Sequence, residues 1–314
     1  MYVVAEVGSN WSSLSDCIES VAAAKSAGAD CVKFQAFTAD ALLGPNAKPM
    51  GHMLPLEWLP KLKMKATACG IDLACTAFSP ELVKAVDPYV AWHKVASSDM
   101  AWPQLLDAVI ATGKAMVIST GGASHTDIER TLAYVNDRRD DAKQVLTLLY
   151  CVAAYPARTT DLEAMADIAR HHEVWGISDH STEVFSIPLE AQKYGAHMLE
   201  KHFTAFPELH SPDRPHSLTA AEFKRMVMRL RGEADPMQPS YEEVDMLLRH
   251  RRRLVATKDI QPGDMLVYGV NYGAYRVAMA DMKGYGAMEW PVVEGAEAPR
   301  PILRGQPIGP GDLS

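Results

Sequence analysis

Two segments follow the same sequence pattern: Trp175-Gly176-Ile177-Ser178-Asp179-His180 and Leu199-Glu200-Lys201-His202-Phe203. Each is a short apolar segment that ends in polar and ionisable residues and is followed by a loop and a helical pattern. If the two runs are neighbouring parallel strands, two histidines emerge side by side at one end of a sheet, where neutral imidazoles suit a divalent first-row metal ion. Side chains alternate along a strand, so one inward-facing parity is shared by Ser178, His180, Glu200 and His202.

Apolar, β-rich runs alternate with amphipathic helical patterns from the start of the chain to about residue 232. Eight βα units in a row predict a parallel sheet with helices outside it, and a (β/α)8 TIM barrel needs about 200–250 residues. An open doubly wound sheet is the alternative, but it calls for a glycine-rich fingerprint after the first strand, where the chain has Gly8-Ser9-Asn10-Trp11. The predicted strands cover residues 2–8, 30–36, 72–78, 92–98, 115–121, 145–152, 174–180 and 197–204.

The sequence changes character after residue 232. We predict a barrel domain over 1–232, a linker with a short helix (242–249) over 233–249, and a small β-rich domain over 250–314. Pro-Gly turns separate its predicted strands at 254–257, 265–267 and from 302 onward, and the pattern Ile-x-Pro-Gly-Asp occurs twice. From residue 249 onward there are nine Lys or Arg and seven Asp or Glu, a small basic excess in an acidic chain.

The composition is that of an ordinary globular protein, with 48% hydrophobic and 22% charged residues. A net charge of −8 argues against a general nucleic-acid binder, although a site can still attract an anion locally. The five cysteines lack CxxC spacing and lie mostly in apolar runs, which predicts reduced core residues in a reducing compartment. The sequence has no apolar run of membrane-spanning length and starts directly with a strand-like run, so we expect no signal peptide and a cytoplasmic location.

In a TIM barrel the active site lies at the carboxyl ends of the strands. Two lysines predicted there, Lys33 and Lys94, together with several hydroxyl groups, favour a phosphate or carboxylate ligand. Each lysine alone is more often part of a salt bridge in the barrel wall, and a barrel lysine can also form a Schiff base. The other polar residues predicted at strand ends include Glu6, Asn10, Gln35, Thr76, Ser97, Tyr155, Ser178, His180, Glu200, Lys201 and His202.

Short motifs along nearly the whole chain resemble the sialic acid synthase family in residues and in order. They are Glu6-Val7-Gly8-x-Asn10, Lys33-Phe34-Gln35, Lys94-Val95-Ala96-Ser97, Ser119-Thr120-Gly121, Tyr155-Pro156, Ser178-Asp179-His180, Glu200-Lys201-His202-Phe203 and Pro212-Asp213. The resemblance implies condensation of phosphoenolpyruvate with an N-acylated amino sugar similar to N-acetylmannosamine, giving a nonulosonic (sialic-type) acid and phosphate. It also implies that residues 250–314 form an SAF domain, similar to type III antifreeze protein.

The resemblance implies a role for each matching residue. His180 and His202 would bind a divalent metal ion, typically Mn²⁺, with Mg²⁺ or Co²⁺ as alternatives, and Glu6 and Asp213 would handle the sugar and the attacking water. The family's active form is a homodimer in which each tail covers the partner's barrel and contributes an arginine, a role for which Lys283 or Arg276 is the candidate. The remaining substrate-binding set would be Asn10, Lys33, Gln35, Thr76, Lys94, Ser97, Tyr155, Ser178 and Glu200.

The sequence also departs from the family pattern. Trp11 replaces a histidine, Ala153 and Ala154 replace polar contacts before Tyr155, and Arg214 replaces the histidine of Pro-Asp-His. These changes leave the sugar open, and Arg214 is a candidate replacement for a lost anion contact. Two other functions stay open: a Schiff-base aldolase or lyase, which needs no metal and leaves the paired histidines without a role, and a degenerate synthase that acts as a binding protein.

Overall fold

The computed structural model describes residues 1–48, 50–157, 162–233, 251–276 and 284–314. The chain divides into two compact units, Met1–Ala234 and Asp235–Ser314. Within the described ranges, no helix combines the length and apolar character needed to cross a membrane. The helix predicted at 242–249 and the candidate residue Lys283 lie outside the described residues.

Parallel strands form the closed wall of a (β/α)8 TIM barrel in the first unit, as the sequence predicts. Each strand pairs with the next along the chain, and the first also pairs with the eighth, which closes the sheet. A two-residue strand, β9 (Leu218–Thr219), pairs with the eighth strand. The barrel strands are β1 (Tyr2–Glu6), β2 (Cys31–Ala36), β3 (Asp72–Ala77), β4 (His93–Val95), β5 (Met116–Ser119), β6 (Leu146–Cys151), β7 (Trp175–Asp179) and β8 (Met198–Thr204).

Amphipathic helices follow the strands and bury their apolar sides against them. Ser124 and Thr219 are N-caps that close reciprocal capping boxes with the third helical residue. The short helices at Ala39–Leu43 and Ala142–Val145 were not predicted, because four or five residues carry too little periodicity. The helices are α1 (Leu14–Ser26), α2 (Ala39–Leu43), α3 (Leu59–Cys69), α4 (Pro80–Val86), α5 (Pro103–Ile110), α6 (His125–Asn136), α7 (Ala142–Val145), α8 (Leu162–Asp167), α9 (Ser186–Lys193) and α10 (Ala220–Leu230).

A small apolar cluster fills one end of the barrel. Most of its residues lie two positions before a polar residue: Val4 precedes Glu6, and Cys31 precedes Lys33. Because side chains alternate along a strand, each apolar residue faces the same side as the polar residue that follows it. The cluster therefore forms an apolar floor beneath the polar strand ends, and it consists of Val4, Cys31, Ala74, Trp92, Val117 and Leu149.

The second unit is built around one antiparallel pair, β10 (Arg252–Ala256) and β11 (Tyr272–Arg276), with a short helix, α11 (Trp290–Val293). The strand predicted at 254–257 corresponds to β10, whereas β11 was not predicted. The strands predicted at 265–267 and from 302 onward are wrong, because these segments form isolated bridges between proline- and glycine-rich turns. The buried core of this unit includes Leu254, Ile260, Leu266, Tyr272, Val293, Ile302 and Ile308.

Candidate active site

A cavity of about 530 Å³ is lined by the carboxyl ends of the barrel strands. This is the end at which TIM barrels hold their active sites. All but two of the predicted site residues line it; the exceptions are Asn10 and Lys283, the latter outside the described residues. Their shared position agrees with the prediction, while their individual roles stay predictions. The residues brought together are Glu6, Lys33, Gln35, Thr76, Lys94, Ser97, Tyr155, Ser178, His180, Glu200, His202 and Asp213.

The alternation of side chains on β7 and β8 follows the predicted parity. The strands pair with Ser178 beside Glu200, and both of these side chains line the cavity. The intervening residues, Asp179 and Lys201, do not line it and are fully buried in an ion pair of 2.6 Å. Lys201 also donates to the carbonyl oxygen of Ser181 at 2.6 Å. This lysine therefore stabilises the barrel wall and does not face the cavity.

Two lysines share carboxylate partners on one side of the cavity. The Lys33 ammonium lies 2.5 Å from Glu6 Oε2 and 3.5 Å from Glu200 Oε2, and it donates to Thr76 Oγ1 at 2.9 Å. The Lys94 ammonium lies 3.5 Å from Glu200 Oε1. All of these side chains are buried, so their charges act on a ligand with little screening by water. The arrangement is suited to a phosphate or carboxylate ligand.

The two carboxyl groups of this cluster have very different proton affinities. Burial raises the pKa of Glu6 to about 7, although Lys33 opposes that change. Burial also disfavours the charged form of Glu200, but Lys33 and Lys94 outweigh it and lower the pKa of Glu200 to about 2. Glu6 can therefore exchange a proton near neutral pH while Glu200 stays ionised, which is the separation that acid–base chemistry requires.

His180 and His202 lie side by side in the cavity wall, with ring centroids 5.7 Å apart. Burial lowers the pKa of His180 to about 4 and the pKa of His202 to about 3, so both imidazoles are neutral at physiological pH. His180 Nδ1 lies 2.9 Å from the carbonyl oxygen of Val152, a contact that assigns the proton to Nδ1 and the lone pair to Nε2. His202 Nδ1 is buried without a hydrogen-bond partner among the described residues. The pair therefore fits the predicted divalent ion.

His216 is a third histidine of the site, which the sequence motifs did not identify. Its ring centroid lies 4.5 Å from that of His202 and 5.0 Å from that of Tyr155. It ends the 3₁₀ turn Arg214–His216, whose N-cap is Asp213. Three residues complete one 3₁₀ turn, so side chains three apart lie on the same side. The spacing Asp213 to His216 was the available signal, but it is informative only once the turn is known.

Hydrogen bonds to the loop after β1 hold Asp213 in place. Asp213 Oδ2 accepts from the Ser9 amide at 2.7 Å, and the Asp213 amide donates to Ser9 Oγ at 3.1 Å. Asn10, predicted to bind substrate, instead donates to the carbonyl of Phe203 and to Ser217 Oγ, and thus links β8 to this loop. Asn10 is fully buried and lies outside the cavity lining, so its place is structural.

Two departures from the family pattern leave the cavity unchanged. Trp11 is buried and packs edge-on against Trp58, with ring centroids 5.5 Å apart, so it belongs to the core beside α3. Arg214 donates from Nε to the carbonyl of Pro207 at 2.7 Å and does not line the cavity. The hypothesis that Arg214 replaces an anion contact is therefore wrong. Ala153 does line the cavity and leaves that part of the wall apolar.

Comparison with known proteins agrees with the fold and with the motifs. The model of the NeuB family matches residues 20–238. The chain is 28% identical to the pseudaminic acid synthase of Helicobacter pylori over 296 residues, covering 84% of this chain and 85% of that protein. It is 29% identical to the N,N'-diacetyllegionaminic acid synthase of Campylobacter jejuni over 295 residues, covering 85% and 88%.

A solved structure is similar as well. The N-acetylneuraminic acid synthetase of Leptospira borgpetersenii, in complex with citrate, aligns with a TM-score of 0.67 at 27% identity, over 78% of this chain and 90% of that one. The family model covers well over half of the sequence, including every barrel strand after the first. The chain therefore belongs to the NeuB family.

Proposed function

We propose that the protein condenses phosphoenolpyruvate with the open-chain form of an N-acylated amino sugar, giving a nonulosonic acid and inorganic phosphate. The names of the relatives support this reaction, since they are synthases of pseudaminic, legionaminic and N-acetylneuraminic acids. The observation that carries the proposal is one cavity that combines the lysine pair Lys33 and Lys94 with the histidine pair His180 and His202. Such a cavity would hold an anion next to a divalent ion, the combination that the proposed chemistry uses.

Phosphoenolpyruvate would lie against the lysines. Lys33 and Lys94 would neutralise its phosphate and carboxylate charges in a buried site, where such interactions are strong. The hydroxyl groups of Thr76, Ser97 and Ser178 line the same cavity and would contribute hydrogen bonds. The amide of Gly121 donates to Ser97 Oγ at 2.9 Å and so orients that hydroxyl. Glu200, shared by both lysines, would keep the two ammonium groups in position.

The amino sugar would bind beside the histidines. We propose that His180 and His202 hold a divalent ion, Mn²⁺ in the first place with Mg²⁺ or Co²⁺ as alternatives, because both imidazoles are neutral and present available nitrogens. When bound, such an ion polarises the sugar aldehyde as a Lewis acid. Gln35 and Tyr155 would contact the sugar; Tyr155 stacks on His180 with centroids 4.1 Å apart, and Gln35 donates to Glu6 Oε1 at 3.1 Å.

The proposed reaction forms a carbon–carbon bond and breaks a carbon–oxygen bond. The enol carbon of phosphoenolpyruvate attacks the aldehyde carbon, and the neighbouring carbon, which acquires oxocarbenium character, is attacked by water. Glu6, with its pKa raised by burial to about 7, is the group that we propose to take the proton from that water. The tetrahedral intermediate then expels phosphate. The water molecule supplies the proton of the new hydroxyl group and the proton that leaves with the phosphate.

A Schiff-base aldolase is less well supported by the same cavity. It needs a neutral amine, and although burial opposes protonation, Glu200 and Glu6 outweigh it and raise the pKa of Lys33 above its usual value. Lys94 differs, because burial lowers its pKa despite Glu200. Treatment with borohydride and pyruvate separates the two reactions: we expect no covalent adduct at Lys94, and a trapped adduct there would favour the aldolase.

We further propose a homodimer in which the second unit of one subunit covers the barrel of the other, as the family resemblance implies. The basic residue contributed across the interface would be Arg276 or Lys283. Arg276 is the exposed last residue of β11 and is available for such a contact. Substituting each with Ala and measuring the KM for the sugar identifies the contributing residue, which we expect to raise that KM while leaving the KM for phosphoenolpyruvate unchanged.

The test of the reaction is phosphate release from phosphoenolpyruvate with Mn²⁺ across a panel of N-acylated amino sugars, before and after chelation. We expect release with a subset of the sugars, loss on chelation and loss in His202→Ala. Release that survives chelation would contradict the metal requirement. Failure to release phosphate with every sugar, despite bound Mn²⁺, would favour the degenerate binding protein.

A further inference from the structure

His202, Asp213 and His216 form a compact group of donor atoms at one side of the cavity. One ring nitrogen of each histidine and one carboxylate oxygen of Asp213 all lie within 4.8 Å of one another. Ligands about 2.1 Å from one ion at tetrahedral angles lie about 3.4 Å apart, so shifts of up to about 1 Å per side chain would close this group around one ion. Two imidazoles and a carboxylate are a donor set that binds Mn²⁺, Fe²⁺ and Co²⁺.

Two of the imidazole nitrogens in this group lack hydrogen-bond partners. His216 is 3% exposed and His202 is 5% exposed, yet His216 Nε2 and His202 Nδ1 have no hydrogen-bond partner among the described residues. Burying a polar atom without a partner costs about 1–3 kcal/mol, so native proteins seldom leave one without a reason. The lone pair of a neutral imidazole nitrogen bound to a metal ion would be such a reason.

The surroundings of the Asp213 carboxylate give a second argument. The side chain is largely buried, with 18% of its surface exposed. Among the described side chains its one ion-pair contact is His216, 3.4 Å away, which is a distance without an aligned hydrogen bond. No lysine or arginine pairs with this largely buried carboxylate among the described residues, and a divalent cation would supply the missing positive charge.

The backbone holds this group in position before any ion binds. The Ser9 amide fixes Asp213 Oδ2 at 2.7 Å, which leaves Oδ1 directed toward His216. Ser217 Oγ, which accepts from Asn10, donates to the carbonyl of Asp213 at 2.6 Å and fixes the 3₁₀ turn. Such supporting contacts are what keep metal ligands oriented in metalloproteins.

We propose that Asp213 and His216 coordinate the divalent cation together with His202, so that the site has a carboxylate and an imidazole that the sequence motifs did not assign to the metal. The inference rests on the proposed function only in that the barrel binds a divalent ion. It makes His216 a metal ligand, and it moves Asp213 from handling the sugar to holding the ion next to it.

The experiment is a calorimetric titration of the full-length, chelator-treated protein with Mn²⁺ alone. We expect His216→Ala to weaken Mn²⁺ binding by at least about tenfold, the lower end of the loss seen even for residues that only support ligands. The matched control is His125→Ala, which removes an exposed histidine at the start of α6 and is expected to leave the affinity unchanged. An unchanged Mn²⁺ affinity in a folded His216→Ala protein would overturn the proposal.

A second variant guards against misfolding of the first. In His216→Cys the new side chain is a softer ligand, so Co²⁺ binding is expected to produce a thiolate-to-cobalt absorption band in the near ultraviolet that the parent protein lacks. The control, His125→Cys, is expected to show no such band. Absence of the band in His216→Cys, with Co²⁺ bound as in the parent, would show that residue 216 does not touch the ion.

Mn²⁺ binding and phosphate release are measured in different experiments, so the ligand assignment and the synthase reaction can be rejected independently. Loss of Mn²⁺ affinity in His216→Ala without phosphate release by the parent protein would support the ligand assignment and contradict the synthase. Phosphate release that requires Mn²⁺, combined with unchanged affinity in His216→Ala, would support the synthase and overturn the ligand assignment.

Discussion

At the scale of single residues, Glu6 and Glu200 show how position decides what a carboxyl group can do. Both are buried in one cavity and both approach Lys33, but Glu200 also has Lys94 beside it. The second ammonium keeps Glu200 ionised, whereas burial dominates at Glu6 and raises its pKa to about 7. The positions of the lysines thus decide which carboxyl group can exchange a proton near neutral pH and which one stays ionised.

The raised pKa of Glu6 predicts the pH dependence of the proposed reaction. A general base works when ionised, so kcat/KM for phosphate release is expected to fall as the pH drops through about 7 and to level off above it. Glu6→Gln is expected to lower kcat/KM by about 10²–10⁴-fold and to abolish this limb. The measurement is a pH–rate profile of both proteins between pH 5 and pH 9. A limb near pH 7 that persists in Glu6→Gln would assign it to another group.

Gly8 is required both by the backbone conformation at this position and by the closeness of Asp213. Its φ of +53° is in the left-handed region, and a Cβ atom there would lie 2.1 Å from Asp213 Oδ2. Gly8→Ala therefore combines a conformational cost of about 1–2 kcal/mol with displacement of Asp213. We expect it to weaken Mn²⁺ binding at least as much as Asp213→Ala. The control is Gly70→Ala, with a φ of +63° and open space around the new Cβ, which is expected to lower stability but keep the Mn²⁺ affinity.

At the scale of strands and helices, the alternation of side chains along β7 and β8 directs adjacent residues to opposite faces, where they have different roles. Glu200 and His202 face the cavity, while Lys201 between them is fully buried with Asp179. Removing one member of a buried ion pair leaves an uncompensated charge, so Lys201→Met is expected to cost about 3–5 kcal/mol of unfolding free energy. Urea denaturation measures this loss. Lys193→Met, which removes an exposed lysine of α9 paired with Glu190, is the control and is expected to change stability by less than about 0.5 kcal/mol.

The same alternation explains why so much of the barrel and its site could be predicted from the sequence. A strand buried on both faces forms a strongly apolar run, and its polar residues stand out at the carboxyl end, as in Ser178 to His180 and Glu200 to His202. The predicted ends of the strands were less accurate than the predicted strands themselves. β4 stops at Val95, three residues before the predicted end, because Ser97–Asp99 turns into a 3₁₀ helix. Periodicity specifies which side chains share a face and not where a strand gives way to a turn.

His216 and β11 could not be predicted, because long-range contacts determine both. His216 reaches the site through a turn fixed by bonds from Ser9 and Asn10, about 200 positions earlier in the chain. β11 exists because it pairs with β10, while its own sequence, Tyr272–Arg276, lacks clear alternation. Asn10 illustrates a related difficulty, because a polar residue after a strand is as able to fasten a loop, as Asn10 does here, as to bind a substrate.

At the scale of the whole molecule, each unit has a hydrophobic core of its own. The buried cluster of the barrel ends at Leu230, and that of the second unit runs from Leu254 to Ile308. The cavity-lining residues all belong to the first unit, from Glu6 to His216. The described wall of the cavity is therefore built by residues of the first unit.

This division predicts the behaviour of a chain truncated after Ala234. Because the lysine pair and the metal ligands are all retained, its Kd for phosphoenolpyruvate in the presence of Mn²⁺ is expected to stay within about threefold of the full-length value, a difference below about 1 kcal/mol. Because the proposed cross-subunit residue, Arg276 or Lys283, is lost, phosphate release is expected to fall by at least about 100-fold, since charge stabilisation in a closed site contributes about that much.

Calorimetry measures the Kd of the truncated chain, and the phosphate assay measures its turnover. Full turnover by the truncated chain would show that the barrel alone completes the active site, and loss of phosphoenolpyruvate binding would show that the second unit belongs to the anion site itself.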